Sequence, residues 1–326
     1  MNKLIRRVVT SLILIFVVAT LTFFLIRLMP GSPYEVLYHQ LLMKGMSQQQ
    51  AADQVRSLLN ATPNEPVILQ YFQWVVQLFH GSLGNSIAQT GVPVTQLIFN
   101  ALPWTLVTVT MGLFISFFIG IFLGVISASK RNSWVSGLID NASSIAHAIP
   151  AYVTAVALLY LFNVVWHVFP SSGAYGITVY PGVNLPFILS FMYHMVLPVG
   201  TYVLTGLGSW ELAMKATTIT VTNDDFMMAA RLRGLRHSTL MSYLGWNSIL
   251  PLFTGFMLSL GAMFGGSVFI ESTYSFPGIG NLFGAAITSR DYPVMEGCFL
   301  LTTTTIIVAN VVADLMYSKL DPRIVD

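Results

Sequence analysis

Asp224 to Pro251 reads DDFMMAARLRGLRHSTLMSYLGWNSILP. It is the longest polar interruption in the hydrophobic second half of the chain, and it holds Arg231, Arg233 and Arg236 within six positions. The pattern predicts a short helix, a break at Gly234, and a second helix that runs into an apolar segment. Glycine permits the left-handed turn such a break requires. Ala229 and Ala230 give the first helix a smooth face, which lets a helix seat in a cleft of a partner. Arg231 and Arg233 suit acidic groups or the negative ends of partner helices. An ordinary basic loop of a membrane protein has the same composition, so the residues alone leave docking and simple topology both open.

The surroundings are apolar. The 326 residues are 55% hydrophobic and 9% charged, with mean hydropathy +0.71. Soluble domains run near 25% charged. A chain of this length cannot enclose so much apolar surface, so its solvent is lipid. A net charge of +2 with no basic tail argues against a nucleic-acid partner. Cys298 is alone, which excludes an intrachain disulfide, and it lies in an apolar run as a small buried hydrophobe. The start, MNKLIRRVVTSLILIFVV, resembles a secretory signal. Its apolar run continues to Ile26 without a small-residue cleavage site, so a retained first span is expected.

Six spans are expected. Val8 to Ile26 is 19 residues without a charge, about 28 Å of helix and roughly the hydrocarbon thickness. The others are Pro103 to Ser129, Ser144 to Val168 with Pro150 inside, Phe187 to Gly208, Leu250 to Ile270, and Gly297 to Ala313. Tyr34 to Ala101 is the one long polar region. In it, Ser47 to Leu59 has helical spacing behind a Ser47 N-cap. Val67 to Phe79 is an amphipathic helix suited to the membrane surface. Six spans put both termini on one side. With the N-terminus inside, the inner segments hold 11 of the 15 basic residues and the outer ones only Arg27, Lys44, Arg56 and Arg290. The positive-inside bias therefore makes the elbow and both termini cytoplasmic. Tyr34 to Ala101 and the Gly- and Pro-rich loop Glu271 to Glu296 are then outside.

The chain has no GxxxxGK[ST] loop to cradle ATP phosphates and no Cys/His cluster at metal-ligand spacing. Its six His are scattered, with His147, His167 and His194 in or beside spans. No expected span carries a central Asp, Glu, Lys or Arg; Glu271, Asp291 and Asp314 sit at membrane edges. Ion-coupled carriers use an ionisable relay or discontinuous helices at mid-membrane. Uncharged spans thus disfavour a carrier acting alone and imply that energy comes from elsewhere. A receptor that signals through the elbow is a third class. The Gly120-xxx-Gly124, Gly261-xxx-Gly265 and Gly280-xxx-Gly284 pairs allow close helix approach. Glu211 and Lys215 are spaced for an i, i+4 pair.

Asp225, Phe226, Ala229, Ala230, Arg231, Arg233, Gly234 and Leu235, followed by Asn247 and Pro251, resemble the coupling ("EAA") motif of ATP-binding-cassette importer permeases in its dipeptide/oligopeptide/nickel branch. Met228 stands where the glutamate that names the motif would be, an exchange usual in that branch. The resemblance covers nearly the whole chain. Thr22 to Pro33 (TFFLIRLMPGSP), Gly81 to Ser86 (GSLGNS, with Ser82 for Asp), Glu271 to Gly280 (ESTYSFPGIG) and Arg290 to Pro293 (RDYP) follow the family in order. So does the closing series Asn310, Asp314, Tyr317, Asp321, Pro322, Arg323. The long region after the first span is similar to the B-type subunit.

The resemblance implies an all-α membrane protein of six helices with the type I importer permease fold and cytoplasmic termini. Residues 1–101 would hold the first span and the outer helical region, 102–318 the permease core with a coupling helix at about 222–236, and 319–326 a tail. It implies a non-catalytic subunit without a cofactor of its own. Two separate ATPase subunits bind ATP and Mg, a C-type permease completes the pathway, and an extracytoplasmic binding protein delivers the solute. The eight residues from Asp225 to Leu235 named above would meet the ATPase, and Ala230→Glu would uncouple it. Glu271, Phe276, Pro277, Gly278, Gly280, Arg290 and Asp291 would shape an outer gate or the binding-protein docking surface. A di- or oligopeptide is the expected cargo, with an oligosaccharide or a metal chelate as alternatives. Ser209 to Asp224 lacks an Arg that peptide transporters of this branch usually carry there, which bears on the substrate.

Overall fold

The computed structural model describes residues 3–31, 33–59, 66–89 and 91–320. The Asp321-Pro322-Arg323 end of the closing series lies outside them, as do the side chains of Asp314 and Tyr317. In chain order the helices are α1 (Lys3–Arg27), α2 (Pro33–Met43), α3 (Gln48–Leu59), α4 (Val67–Phe79), α5 (Val94–Ser129), α6 (Trp134–Ala148) and α7 (Ala151–Leu159, continued by a π-helical turn Tyr160–Val165). Then come α8 (Leu185–Thr222), α9 (Asp225–Leu232), α10 (His237–Thr273), α11 (Ile279–Ser289) and α12 (Tyr292–Leu320). Among the described residues there is no strand, only one isolated bridge between Asn85 and Pro93.

Among the described residues, four helices are long and apolar enough to cross a membrane: α1 from Ile5, α5, α8 and the Tyr292–Ala313 part of α12. The α6–α7 pair is a fifth if it counts as one span, and α10 contributes the apolar stretch Pro251–Gly261. The expected third span, Ser144 to Val168, is not a straight helix. The chain turns by 99° between α6 and α7. Pro150 lacks an N–H and forces Ile149 into extended backbone (φ −79°, ψ 124°), which ends α6. Pro103, Pro198 and Pro251 lie inside continuous helices. The fourth and fifth spans also run further than their apolar cores suggested. At 38 and 37 residues, α8 and α10 are each more than 50 Å long, against about 30 Å of hydrocarbon. As a result Glu211 and Lys215, expected beyond the end of a span, lie within α8, and Glu211 is fully buried.

The chain forms two compact units. The first comprises Met1–Thr105 and Pro277–Val308. Its core gathers Ile26, Val94, Ile98, Ile279, Val294 and Cys298, and so confirms Cys298 as a packed apolar residue. Arg27 of α1 pairs with Glu296 of α12. Arg27 also donates through Nε to Gln70 Oε1 of α4 at 3.0 Å, and its guanidinium lies 3.3 Å from the Phe23 ring centroid. A smaller cluster of Leu37, Leu41, Ala51 and Val55 joins α2 to α3. The expected Ser47 cap is a capping box. The Gln50 amide donates to Ser47 Oγ, and Ser47 N–H donates to Gln50 Oε1, each at 3.3 Å.

The second unit comprises Leu106–Phe276 and the chain from Ala309 onward. Here α8 is the axis, with α6, α7 and α10 packed along it. Leu113, Phe117, Trp210, Met214, Leu252 and Phe256 form its core. The Phe117 ring lies 5.0 Å from Trp210, edge to face, and 4.5 Å from Phe256. The Gly120/Gly124 pair serves packing, as expected. A Cβ at Gly124 would stand 2.7 Å from both the Glu211 carbonyl oxygen and Met214 Cβ. Large apolar side chains such as Leu12, Leu25, Phe118, Phe122 and Leu189 point outward. Lipid as solvent accounts for that arrangement.

Candidate functional site

The elbow folds as its pattern predicts, and its geometry shows why. Asp225 sits in the first turn of α9 and Arg231 in the last, each on the end of the helix dipole that favours it. Gly234 takes φ +70°. Its N–H donates to the Arg231 carbonyl at 3.0 Å, and Leu235 N–H donates to the Ala230 carbonyl at 3.4 Å. That pair of bonds is a Schellman closure, which a left-handed glycine makes possible. Two residues, Asn223 and Asp224, separate α9 from α8, and four separate it from α10. A short rigid helix is thus hung between the ends of two long ones.

Helical geometry divides the candidate residues. Met227 and Ala230 are buried against α8 and α10, at 1% and 6% exposure. Asp225, Met228, Ala229 and Leu232 form the opposite face, flanked by Phe226, Arg231 and Arg233. Leu232 is 83% and Met228 65% exposed. Ala230 lies on the inner side of α9, where its methyl is covered within the chain, so a charge there would disturb the fold as well as any contact with a partner. Ala229 is the small residue that faces out. Reasoning from the motif passed over Met228 and Leu232. Their signal was present in the sequence, since large apolar residues at i and i+4 on a polar elbow mark a face awaiting cover.

The residues expected at an outer gate fall in both units. In the second, Glu271 is 1% exposed and Phe276 is fully buried, with Phe276 N–H donating to the Glu271 carbonyl at 2.8 Å. Between them, Ser275 holds φ +46°. The Tyr274 hydroxyl lies 2.9 Å from Thr201 Oγ1 of α8 and donates to the Ala155 carbonyl of α7 at 3.0 Å. Burial pushes it up to about 12, the Thr201 contact offsetting part of the shift, so it stays neutral. In the first unit, Gly278 precedes α11, and Gly280 is buried in its first turn. Pro277 is exposed. Arg290 caps the other end of α11 in left-handed backbone. Asp291 is 2% exposed, and its carboxylate accepts from Ser86 Oγ at 2.5 Å and from the Ile87 and Ala88 amides at 3.1 and 3.0 Å. Asp291 thus anchors the GSLGNS loop.

A second polar cluster, unforeseen from spacing, joins α5, α6 and α8. Asp140 accepts from Ser127 Oγ at 2.5 Å and from Ser136 Oγ at 3.3 Å, and pairs with Lys215. The i, i+4 pair expected between Glu211 and Lys215 is absent, because the Lys215 ammonium goes to Asp140 of another helix. Glu211 has both carboxylate oxygens buried; the Ser143 and Ser127 hydroxyls lie beside them, but neither makes a well-formed hydrogen bond to them.

With this geometry in hand, likeness to known proteins settles the class. Residues 120–326 match the family described as "Binding-protein-dependent transport system inner membrane component", and residues 1–113 match the N-terminal family of the same systems. The chain belongs to this family. The permease is 30% identical over 330 residues to the nickel import system permease protein NikB of Staphylococcus aureus (strain USA300), covering 99% of this chain and 91% of that one. It is 28% identical to the oligopeptide transport system permease protein AppB of Bacillus subtilis (strain 168), covering 98% of each. Its fold is similar to a solved chain of the MetNI methionine ABC transporter in inward-facing conformations. The TM-score is 0.56 at 14% identity, over 70% of this chain and 97% of that one. The permease is a non-catalytic, integral membrane component of an ATP-binding-cassette importer, of the oligopeptide/nickel type.

Proposed function

We propose that this permease forms one half of a heterodimeric pathway with a homologous C-type permease, and that α9 is the helix on which two ATPase subunits act. The observation that carries this reading is the outward face of α9, Asp225, Met228, Ala229 and Leu232, held between α8 and α10. A push on α9 passes directly to two helices longer than the membrane is thick. ATP and Mg belong to the ATPase subunits, and an extracytoplasmic binding protein brings the solute. Six spans with both termini cytoplasmic in the cell membrane agree with the basic-residue bias and with α1, α5, α6–α7, α8, α10 and α12 as crossing elements. Glu271, Phe276, Pro277, Gly278, Gly280, Arg290 and Asp291 keep the outer surface in shape for gating or docking.

The proposed cargo is a di- or oligopeptide, in line with the AppB likeness. The comparable likeness to NikB favours a second reading, nickel or a nickel chelate. Ligand retained by the purified cognate binding protein, identified by mass spectrometry, separates the two. For coupling, Ala229→Glu in the reconstituted complex is expected to lower transport-linked ATP hydrolysis at least tenfold while insertion and complex solubility persist. Unchanged coupling in Ala229→Glu and in Leu232→Asp would remove α9 from the role. Uptake that follows an ion gradient without ATP would sink the wider reading.

A further inference from the structure

Helix α4 has its polarity turned inside out. Its 13 residues, VILQYFQWVVQLF, carry no charge. Two of its polar groups meet α1: Gln70 accepts from Arg27 Nε at 3.0 Å, and the Tyr71 hydroxyl lies 3.0 Å from Thr20 Oγ1. Tyr71 packs edge to face against Phe23 and Trp74 lies tilted beside it, with ring centroids 5.3 and 5.1 Å away. The opposite side shows Ile68, Phe72, Val76 and Phe79, which are 57%, 59%, 55% and 81% exposed. They recur every three or four positions and so make one stripe along the helix. No residue of α4 is buried.

The attachment point gives the depth. Thr20 lies seven residues before the Arg27 end of α1, which is about 10 Å along the helix axis. Because α1 is a span of 23 apolar-rich residues, Ile5–Arg27, a helix bound at Thr20 is held below the end of that span. At the same level α1 itself exposes Leu21 and Leu25, at 57% and 63%. The stripe on α4 therefore continues the lipid-facing surface of α1.

We propose that α4 is embedded in one leaflet beside the Arg27 end of α1, with Ile68, Phe72, Val76 and Phe79 in contact with acyl chains. Arg27 is the pin. Folded back over Phe23 and paired with Glu296, it offers Gln70 a hydrogen bond at membrane depth, so the amide does not face hydrocarbon alone. Gln73 and Gln77, four residues apart on the flank of the stripe, mark the side turned toward headgroups and water. The occupant of this face is lipid, and the region after the first span is in part a membrane-embedded element.

The test places single nitroxide labels at Phe72→Cys, Val76→Cys and Gln77→Cys in a Cys298→Ala background. The full chain is reconstituted in phosphatidylethanolamine–phosphatidylglycerol vesicles. Collisions with oxygen, which concentrates in lipid, are expected to exceed those with a water-soluble paramagnetic chelate several-fold at positions 72 and 76, with the ratio falling at position 77. Chelate access at 72 and 76 equal to that at 77 overturns the proposal in favour of an aqueous face. Protection from both reagents overturns it in favour of a protein cover. Each outcome is independent of ATP coupling, because no ATPase is present.

Discussion

Arg27 and Glu296 in the first unit, and Asp140, Glu211 and Lys215 in the second, are both charged groups held within helices, but their balance differs. The first set is one cation and one anion, with side chains 14% and 5% exposed, and Gln70 and the Phe23 ring complete the cation's surroundings. The second has two carboxylates for one ammonium. Its bonded pair is more open, at 19% and 28%, while Glu211 is sealed and without a well-formed hydrogen bond. Asp291, also in the first unit, is saturated by one hydroxyl and two amides. Complete pairing around buried charge makes an anchor. Incomplete pairing marks a place where the fold carries an unfavourable group that packing alone holds in position.

Three substitutions sharpen or break that contrast. The largest effect is expected from Arg27→Ala, which leaves the buried Glu296 carboxyl without its partner. A loss of about 3–5 kcal/mol is expected, read as reduced resistance to denaturant in detergent. Joint replacement, Arg27→Met with Glu296→Leu, should recover most of it, because the desolvation cost disappears with both charges. If the double variant is as weak as the single one, the pair is not an anchor. Next is Asp291→Ala, which strips the acceptor from the Ile87 and Ala88 amides. A loss of about 2–3 kcal/mol is expected, with faster hydrogen exchange confined to residues 81–93; exchange unaltered there would show that the loop holds itself. The smallest effect belongs to Glu211→Gln. Replacing this poorly satisfied buried carboxyl by an amide of nearly the same volume should leave stability unchanged or raise it by up to about 1 kcal/mol. A loss as large as that of Arg27→Ala would mean that Glu211 has a stabilising partner after all, and the contrast would fail.

Much of the architecture was legible in the sequence because its signals are local. Ser47 and Gln50 form the expected cap, α4 has the expected limits, and Gly234 makes the expected left-handed turn. Each depends on residues within a turn of one another. The 99° bend at Pro150 in the third apolar segment is not legible, because a proline inside an apolar run reads alike whether it bends the helix or ends it. Pro198 and Pro251 sit within helices, and Pro150 separates two. Hydropathy located the apolar centres of α8 and α10 but not their ends, because polar residues continue a helix as readily as they leave one. The outward face of α9 was half legible. Ala229 and Ala230 are equivalent as residue types, but they stand about 100° apart around a helix, and only packing on α8 and α10 turns one in and the other out.

Composition and order by themselves determined the solvent, the helical class, the approximate spans, the elbow and the family resemblance. All of these follow from which side chains lie near one another along the chain. Tertiary structure alone decided the partners of the charged groups. Lys215 could reach Glu211 four residues away on its own helix, yet it pairs with Asp140, 75 positions earlier. Tertiary structure also decided that Gln70 and Tyr71 of α4 face α1 while Ile68, Phe72, Val76 and Phe79 face outward. Spacing shows which pairs are possible. Which pair forms depends on which helices pack together, because a partly buried charge goes to the partner whose neighbours, here Ser127 and Ser136, complete its hydrogen bonds.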